Sequence, residues 1–413
     1  MDYIVNGGKI CGELSVYGAK NCALALLGAT LLTDERVTLN NCPQITDIEN
    51  MLKLLSALGK NVCRVGEMVS VEGEITTTEI PQNLAKLLRG SGLVLGSAVA
   101  KYNKVFLPAT GGCAIGSRPI DIHLEGLRKM QVNVTENEGG VTCVGAPKGC
   151  YFSLRFASVG ATENLLCAAT LAKGKTTLVN CALEPEVVAL AQMLCKMGAK
   201  IDGVGTSVLT ICGVEKLHGT EFDVIPDRIV ASTYLACVAA AGGKLTVTDC
   251  VPQHISAFLE VLQPRYSVRV YRNAVTLAAC KVPKDFGSIV TAPYPAFPTD
   301  VQQIVLSLCA ASNGGISYIT EKLFENRLVH NATELNKMGA EVTVQDNVAK
   351  IVGKKLHGAE VFAGDLRGGA GLVVAALAAD GQTIIKRAEH VARGYSNLAE
   401  NLQKVGVDIA VCK

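Results

Sequence analysis

Apolar positions along this chain fall into two kinds of run that alternate. One kind, A-L-A-L-L-G-A-T-L-L from Ala23, is rich in Ala and Leu at helical length and is apolar nearly all round. Such a run predicts a helix buried on every side. The other, M-L-K-L-L-S-A-L-G-K-N-V from Met51, carries its apolar residues on one face and stops at a glycine, which predicts an amphipathic helix, a turn and a strand. Short Val/Thr/Ile segments with alternating polarity, such as V-T-L-N-N from Val37, lie between the two kinds and read as strands.

The order recurs six times at a period of roughly 65 to 75 residues. The third copy, from Ser158, closes in M-L-C-K-M-G-A-K-I; the fifth, from Thr299, closes in E-L-N-K-M-G-A-E-V; the sixth, from Asp365, closes in N-L-Q-K-V-G-V-D-I. The second, from about Leu87, and the fourth, from about Asp227, are more diverged. Helices that are apolar all round place the sheets outside them. The expected fold is therefore α/β, with two three-repeat domains, 20–227 and 1–19 plus 228–413, and hinges near Tyr17 to Lys20 and Ile225 to Arg228.

Chemistry concentrates where the pattern breaks. Residues 108–123 read P-A-T-G-G-C-A-I-G-S-R-P-I-D-I-H, so Cys113 follows a glycine pair and precedes Arg118. Glycine lets a ligand approach the backbone, and a nearby cation favours thiolate over thiol. Many of the loops between units also place a cation or an acid at the start of an apolar helix: Lys20 with Asn21, Arg89, Arg118, Asp300, Arg327, Arg367 and Arg393. Helix N-termini already attract anions, and fixed cations there make a stronger anion site. Asp300 ends A-P-Y-P-A-F-P-T-D, where prolines restrict the approach and suit a fixed general base standing apart from the cations. Asp47, Glu184, Glu186 and Asp365 read as caps and turn formers.

Composition narrows the class. With 49% hydrophobic and 18% charged residues the chain is globular, and a net charge of +2 provides no global field for nucleic acid. The start, M-D-Y-I-V-N-G-G-K-I, lacks the pattern of a signal peptide, and no apolar stretch reaches spanning length, so a cytoplasmic protein off the membrane is expected. None of the sixteen cysteines makes a C-x-x-C pair and most sit within apolar runs, which suits reduced core thiols. None of the six histidines sits at ligand spacing; no metal or cofactor is expected.

Eight segments in order then carry a resemblance: G-A-K-N from Gly18, G-G-C-A-I-G-S-R-P-I-D-I-H from Gly111, S-V-G-A-T from Ser158, P-D-R from Pro226, A-P-Y-P-A-F-P-T-D-V-Q from Ala292, F-E-N-R from Phe324, D-L-R from Asp365 and R-G-Y from Arg393. Over essentially its whole length the chain resembles the UDP-N-acetylglucosamine 1-carboxyvinyltransferases of the enolpyruvyl transferase family. The resemblance implies two inside-out α/β barrel-like domains, each of three βαβαββ units, closing on substrate. It implies transfer of the enolpyruvyl group of phosphoenolpyruvate to the 3′-hydroxyl of UDP-N-acetylglucosamine, with release of phosphate, in the first committed step of peptidoglycan synthesis. By the same resemblance Cys113 is the general acid and Asp300 takes the hydroxyl proton. Lys20, Arg118 and Arg393 hold phosphoenolpyruvate, with Arg327 and Arg367 joining them. Asn21, Arg89, Pro119, Ile120, Asp121, Ile122, Ser158, Val159 and Leu323 contact the sugar nucleotide. Phe156 stands where some relatives carry Lys. A non-catalytic UDP-sugar-binding paralogue and a shikimate-type transferase are the alternatives, and phosphate release discriminates the first of them.

Overall fold

The computed structural model describes residues 1–88, 91–109, 120–324 and 326–412. Contacts divide the described residues into two units, one drawn from 18–109 and 120–225 and the other from 1–17 together with 226–412. Where the chain passes from one to the other, Ala19 N–H donates to Ile225 O within the first, and Asp227 N–H donates to Tyr17 O within the second.

In the unit of residues 18–225 the apolar runs form helices α1 (Lys20–Ala29), α3 (Val94–Tyr102) and α5 (Val159–Thr170), alternating with the amphipathic α2 (Thr46–Leu58), α4 (Asp121–Lys129) and α6 (Pro185–Lys196). Every residue of α5 from Ala161 to Thr170 is buried. Removing side chains such as Leu165 and Leu166 from water contributes about 2 kcal/mol each. Helices this close need small residues at the crossings. A Cβ on Gly96 of α3 would lie 2.0 Å from the carbonyl oxygen of Asn164 on α5, and the Gly96 N–H donates to the Asn164 side chain.

In the other unit the apolar helices are α7 (Arg228–Ala241), α8 (Thr299–Ala310) and α10 (Leu366–Ala378), with the amphipathic α9 (Arg327–Lys337) between the last two. Their small side chains, among them Ala370, Ala375 and Ala376, are wholly buried. The helices therefore fill the interior.

One strand pattern repeats around them. In Thr220–Asp223, Val37–Asn40, Met68–Glu72, Asn61–Val65 the first pair is parallel and the next two antiparallel. Among the described residues four other sheets repeat that order, and a sixth, three-stranded, carries an isolated parallel bridge between Glu79 and Phe106. Strand burial alternates, as in Lys175–Val179, so each strand turns one face to the helices and the other outward. The parallel pair explains how each unit closes on itself: Thr220–Asp223, late in its unit, pairs with Val37–Asn40, early in it. The first strand of the chain, Asp2–Gly7, lies between Thr383–Lys386 and Asp408–Cys412. The helix-inside α/β fold expected from the apolar runs is the fold observed.

Of the fifteen described cysteines, all free, eight are buried, as expected of core thiols. Cys11, Cys63, Cys195, Cys212, Cys280 and Cys412 are exposed, because each lies on an outward strand position, at a strand edge or on the polar side of an amphipathic helix, where a small residue costs little. Among the described residues no helix is long and apolar enough to cross a membrane.

Candidate active site

Helix starts collect the charged residues in both units. In the unit of residues 18–225, Lys20 heads α1 and its Nζ lies 2.6 Å from an Asp47 carboxylate oxygen on α2, with both side chains largely buried. Asp47 was expected as a turn former; burial and the ammonium make it half of an ion pair instead. Asn21 follows Lys20 on α1. Ser158 caps α5, its Oγ accepting the Ala161 N–H at 3.3 Å, and Val159 opens the helix. Ile120 and Asp121 open α4, and Ile122 is buried. A Cβ on Gly160 would come within 3.3 Å of the His123 ring, so the starts of α4 and α5 approach closely and bring Asp121 and Ile122 near Ser158 and Val159. Asp121 pairs with Arg155, which also binds Glu125 at 2.9 Å, while neighbouring Phe156 is exposed.

Further along α5, Glu163 is buried. Burial first, then the Glu186 and Glu184 carboxylates, push its carboxyl well above the ordinary range. Burial pushes the His123 imidazole down to about 4, offset in part by Asp121. Cys113, Arg118, Pro119 and Arg89 lie outside the described residues.

In the second unit Asp300 is the second residue of α8, reached through the proline-rich turn, and Arg327 is the first of α9. Arg327 Nη2 donates to Asp300 Oδ1 at 2.9 Å, Nη1 to Thr299 Oγ1 at 2.8 Å and Nε to Gln303 Oε1 at 3.4 Å. The ring of Phe324 lies 5.2 Å from the guanidinium. Burial alone would raise the Asp300 carboxyl, but Arg327, Arg367 and Arg228 outweigh it and hold the group well below the usual carboxylate range. Asp300 was expected to stand apart from the cations. The Pro298 turn places it at the start of α8, where the starts of α7, α9 and α10 bring three guanidiniums to it.

Arg367 is nearly inaccessible, and its guanidinium lies 5.4 Å from the Tyr395 ring. The Tyr395 hydroxyl is 2.8 Å from Thr233 Oγ1. Asp365 caps α10, accepting the N–H groups of Arg367 at 2.9 Å and Gly368 at 3.1 Å, as expected of a capping acid. Asp227 does the same for α7, with Ile229 at 2.8 Å and Val230 at 3.0 Å. Leu323 is half-buried, and its N–H donates to buried Glu321 at 2.8 Å; the other oxygen of Glu321 accepts from Thr299 at 2.8 Å.

Two helix-start assignments need correction. Arg327 heads an amphipathic helix and not an apolar one, because the repeat brings its second helix beside α8. Arg393 closes a 3₁₀ turn, Ala388–Arg393, and is half-buried there. Tyr395, whose ring faces the Arg367 guanidinium, follows Arg393 by two residues. Sequence reasoning left Arg228, Gln303 and Glu321 without roles; the available signals were P-D-R from Pro226 for Arg228 and, for Gln303, a polar residue within an apolar run.

Matched against known families, residues 4–402 fit the model described as EPSP synthase (3-phosphoshikimate 1-carboxyvinyltransferase). A UDP-N-acetylglucosamine 1-carboxyvinyltransferase 2 from Caldanaerobacter subterraneus is 42% identical over 98% of both chains. A UDP-N-acetylglucosamine 1-carboxyvinyltransferase from Cellvibrio japonicus is 43% identical, again over 98% of each. Among solved structures, the enolpyruvyl transferase NikO from Streptomyces tendae superposes with a TM-score of 0.88 at 25% identity, covering 99% of this chain and 98% of that one. EPSP synthase from Acinetobacter baumannii shares the fold, with a TM-score of 0.74 at 17% identity over the full length of both. The apolar helices, the charged residues at their starts and this kinship along the whole length agree: the chain belongs to the enolpyruvyl transferase family, in its UDP-N-acetylglucosamine 1-carboxyvinyltransferase branch.

Proposed function

We propose that this protein is an enzyme of the cytoplasm that transfers the enolpyruvyl group of phosphoenolpyruvate to the 3′-hydroxyl of UDP-N-acetylglucosamine and releases phosphate, as the committed step toward peptidoglycan. The observation that carries the reading is the carboxylate held among three buried arginines, Asp300 with Arg327, Arg367 and Arg228, in a chain of this family. Phosphoenolpyruvate brings a phosphate and a carboxylate. Fixed guanidiniums suit both, since they are already oriented and stay charged.

In this reading Asp300 takes the proton of the sugar hydroxyl as its oxygen adds to C2 of the enol. A carboxyl held so low is a weak base while the arginines act on it alone. An anionic substrate beside those arginines offsets their charge and returns basicity to Asp300, so the base becomes effective once its co-substrate is bound. Cys113 delivers a proton to the methylene carbon, giving a cation that the hydroxyl captures. Return of a proton from the new methyl group to the Cys113 thiolate, with departure of phosphate from C2, re-forms the double bond and completes the transfer. Lys20, Arg118 and Arg393 hold phosphoenolpyruvate, with Arg327 and Arg367 alongside. Asn21, Arg89, Pro119, Ile120, Asp121, Ile122, Ser158, Val159 and Leu323 bind the sugar nucleotide.

The test is phosphate release measured with both substrates and with each omitted. Release that requires both is expected. Binding of the UDP-sugar without release would instead support a non-catalytic paralogue, and release with shikimate 3-phosphate as acceptor would support the shikimate-type reaction. In parallel, an epoxide-phosphonate analogue of phosphoenolpyruvate is expected to alkylate Cys113 alone, as read by peptide mapping.

A further inference from the structure

Arg327 is held in an unusual way: all three of its side-chain donor nitrogens bond to residues in the first turn or so of α8, namely Thr299, Asp300 and Gln303. Gln303 follows Asp300 by three residues, which puts both on one helix face. It is wholly buried. Its Oε1 accepts from Arg327 Nε at 3.4 Å, and its Nε2 donates to Asp365 Oδ2 at 3.0 Å and to Arg327 O at 3.3 Å. The neighbours fix which way the amide points. Turned over, it would set its NH₂ against a guanidinium and its oxygen against a carboxylate.

Asp365 is the cap of α10, which carries Arg367. One side chain on α8 therefore joins the starts of α9 and α10. Space for it comes from α10, where a Cβ on Gly368 would lie 3.0 Å from Gln303 Nε2, 3.1 Å from Asp365 Oδ2 and 2.9 Å from Asn331 Oδ1. A side chain there would crowd the amide.

We infer that Gln303 is a positioning residue of the transfer reaction: it holds the Arg327 guanidinium against Asp300 and fixes the α10 cap beneath Arg367, without itself touching substrate. The inference rests on the reading of Asp300 as base and of the two arginines as anion holders. A buried amide with only a packing role could be exchanged for an apolar side chain of like volume at small cost to the reaction.

The test exchanges Gln303 for Met, which keeps the length and removes every bond. Turnover is expected to fall about tenfold while KM for UDP-N-acetylglucosamine stays within about twofold, because orientation of the reacting groups is lost and the acceptor's own contacts are not. The charged groups around Asp300 are Arg327 from α9, Arg367 from α10 and Arg228 from α7. With the first of them loosened, the acid limb of the kcat profile, which reports the substrate-bound enzyme, is expected to move up by about half a pH unit. Gly368→Ala, which reaches the same amide from α10, is expected to move both readouts in the same direction, and it carries the test if the Met variant does not fold by circular dichroism. A lower melting temperature with turnover and acid limb unchanged in the folded variants would overturn the inference. Wild type is assayed alongside, so absence of phosphate release there condemns the reading of the function, whereas normal release there with unaffected variants condemns the role of Gln303.

Discussion

Lys20 at the start of α1 and Arg367 at the start of α10 hold corresponding places in their repeats, and their surroundings differ. Lys20 has a 2.6 Å ion pair with Asp47, and α1 has no side-chain cap, since Ala19 stands at that position. Arg367 lies on the Tyr395 ring, and its helix is capped twice over by Asp365, whose second oxygen is taken by Gln303. An ammonium is a compact charge on a flexible stem, whereas a guanidinium is a plane whose donors can be fixed separately. The difference teaches where each unit stores its order. Near α1 a close ammonium–carboxylate pair between two helices is part of it; near α10 it is spread over a network in which each member holds another.

The sharpest way to break the contrast is to remove one acid from each side. Asp47→Ala takes away the short contact to a largely buried ammonium, and stability to denaturant is expected to fall by about 3 kcal/mol. A loss below about 1 kcal/mol would show that other contacts carry Lys20 and that the α1 start is a network too. Asp300→Asn leaves the shape and removes the base. Turnover is expected to drop about a hundredfold, with KM for phosphoenolpyruvate within about threefold. Near-normal turnover with altered anion affinity would instead make Asp300 a counter-charge to its arginines.

What could be read from the chain beforehand follows the same division. Ala/Leu runs announce buried helices because no exposed helix tolerates an apolar surface all round, and six of them fix the fold. Asp300, Arg327 and Arg367 are legible because turn residues and helix starts mark them locally. The Lys20 to Asp47 pair is not, because its partners sit on different helices and nothing near Asp47 separates an ion-paired acid from an ordinary first-turn one. The depressed carboxyl of Asp300 also escapes the sequence. It arises from three arginines that only the packing of four helix starts brings together. Gln303 is a polar residue in an apolar run, which is a signal of something, yet what it joins depends on α9 and α10. Arg393 fails differently: the helix-start rule was applied to a residue that ends a 3₁₀ turn.

Caps give a finer comparison. Asp365→Ala removes the acceptor of two backbone N–H groups and of the Gln303 amide, and is expected to cost about 2 kcal/mol; Ser158→Ala removes one bond of 3.3 Å and is expected to cost about 0.5 kcal/mol. Equal losses in thermal or chemical unfolding would mean that the network near α10 adds nothing beyond an ordinary cap.

The remaining comparison concerns pH, and it sets the units apart by sign. Burial holds His123 and His254 near 4, the latter aided by Arg228, against an ordinary 6.5. An unfolded chain takes up those protons first, so the stability these groups provide is complete above 6.5 and is lost as pH falls toward 4. Glu163, raised above its ordinary 4.5 by burial and by Glu186 and Glu184, works the other way: its contribution is complete below 4.5 and is lost as pH rises. Between 4.5 and 6.5 His123 and Glu163 therefore oppose each other within one unit, while in the other His254 has no such counterweight among these groups. Asp300, held low, begins to matter only below its ordinary 3.8. Glu163→Gln is expected to leave His123 unopposed and to steepen the loss of stability between pH 6.5 and 5 by about 1 kcal/mol, as measured by urea unfolding across that range. His254→Gln is expected to flatten the same loss by a similar amount. A Glu163→Gln profile parallel to that of wild type would show that Glu163 is ionised in the folded protein, and that the two units respond to acid alike.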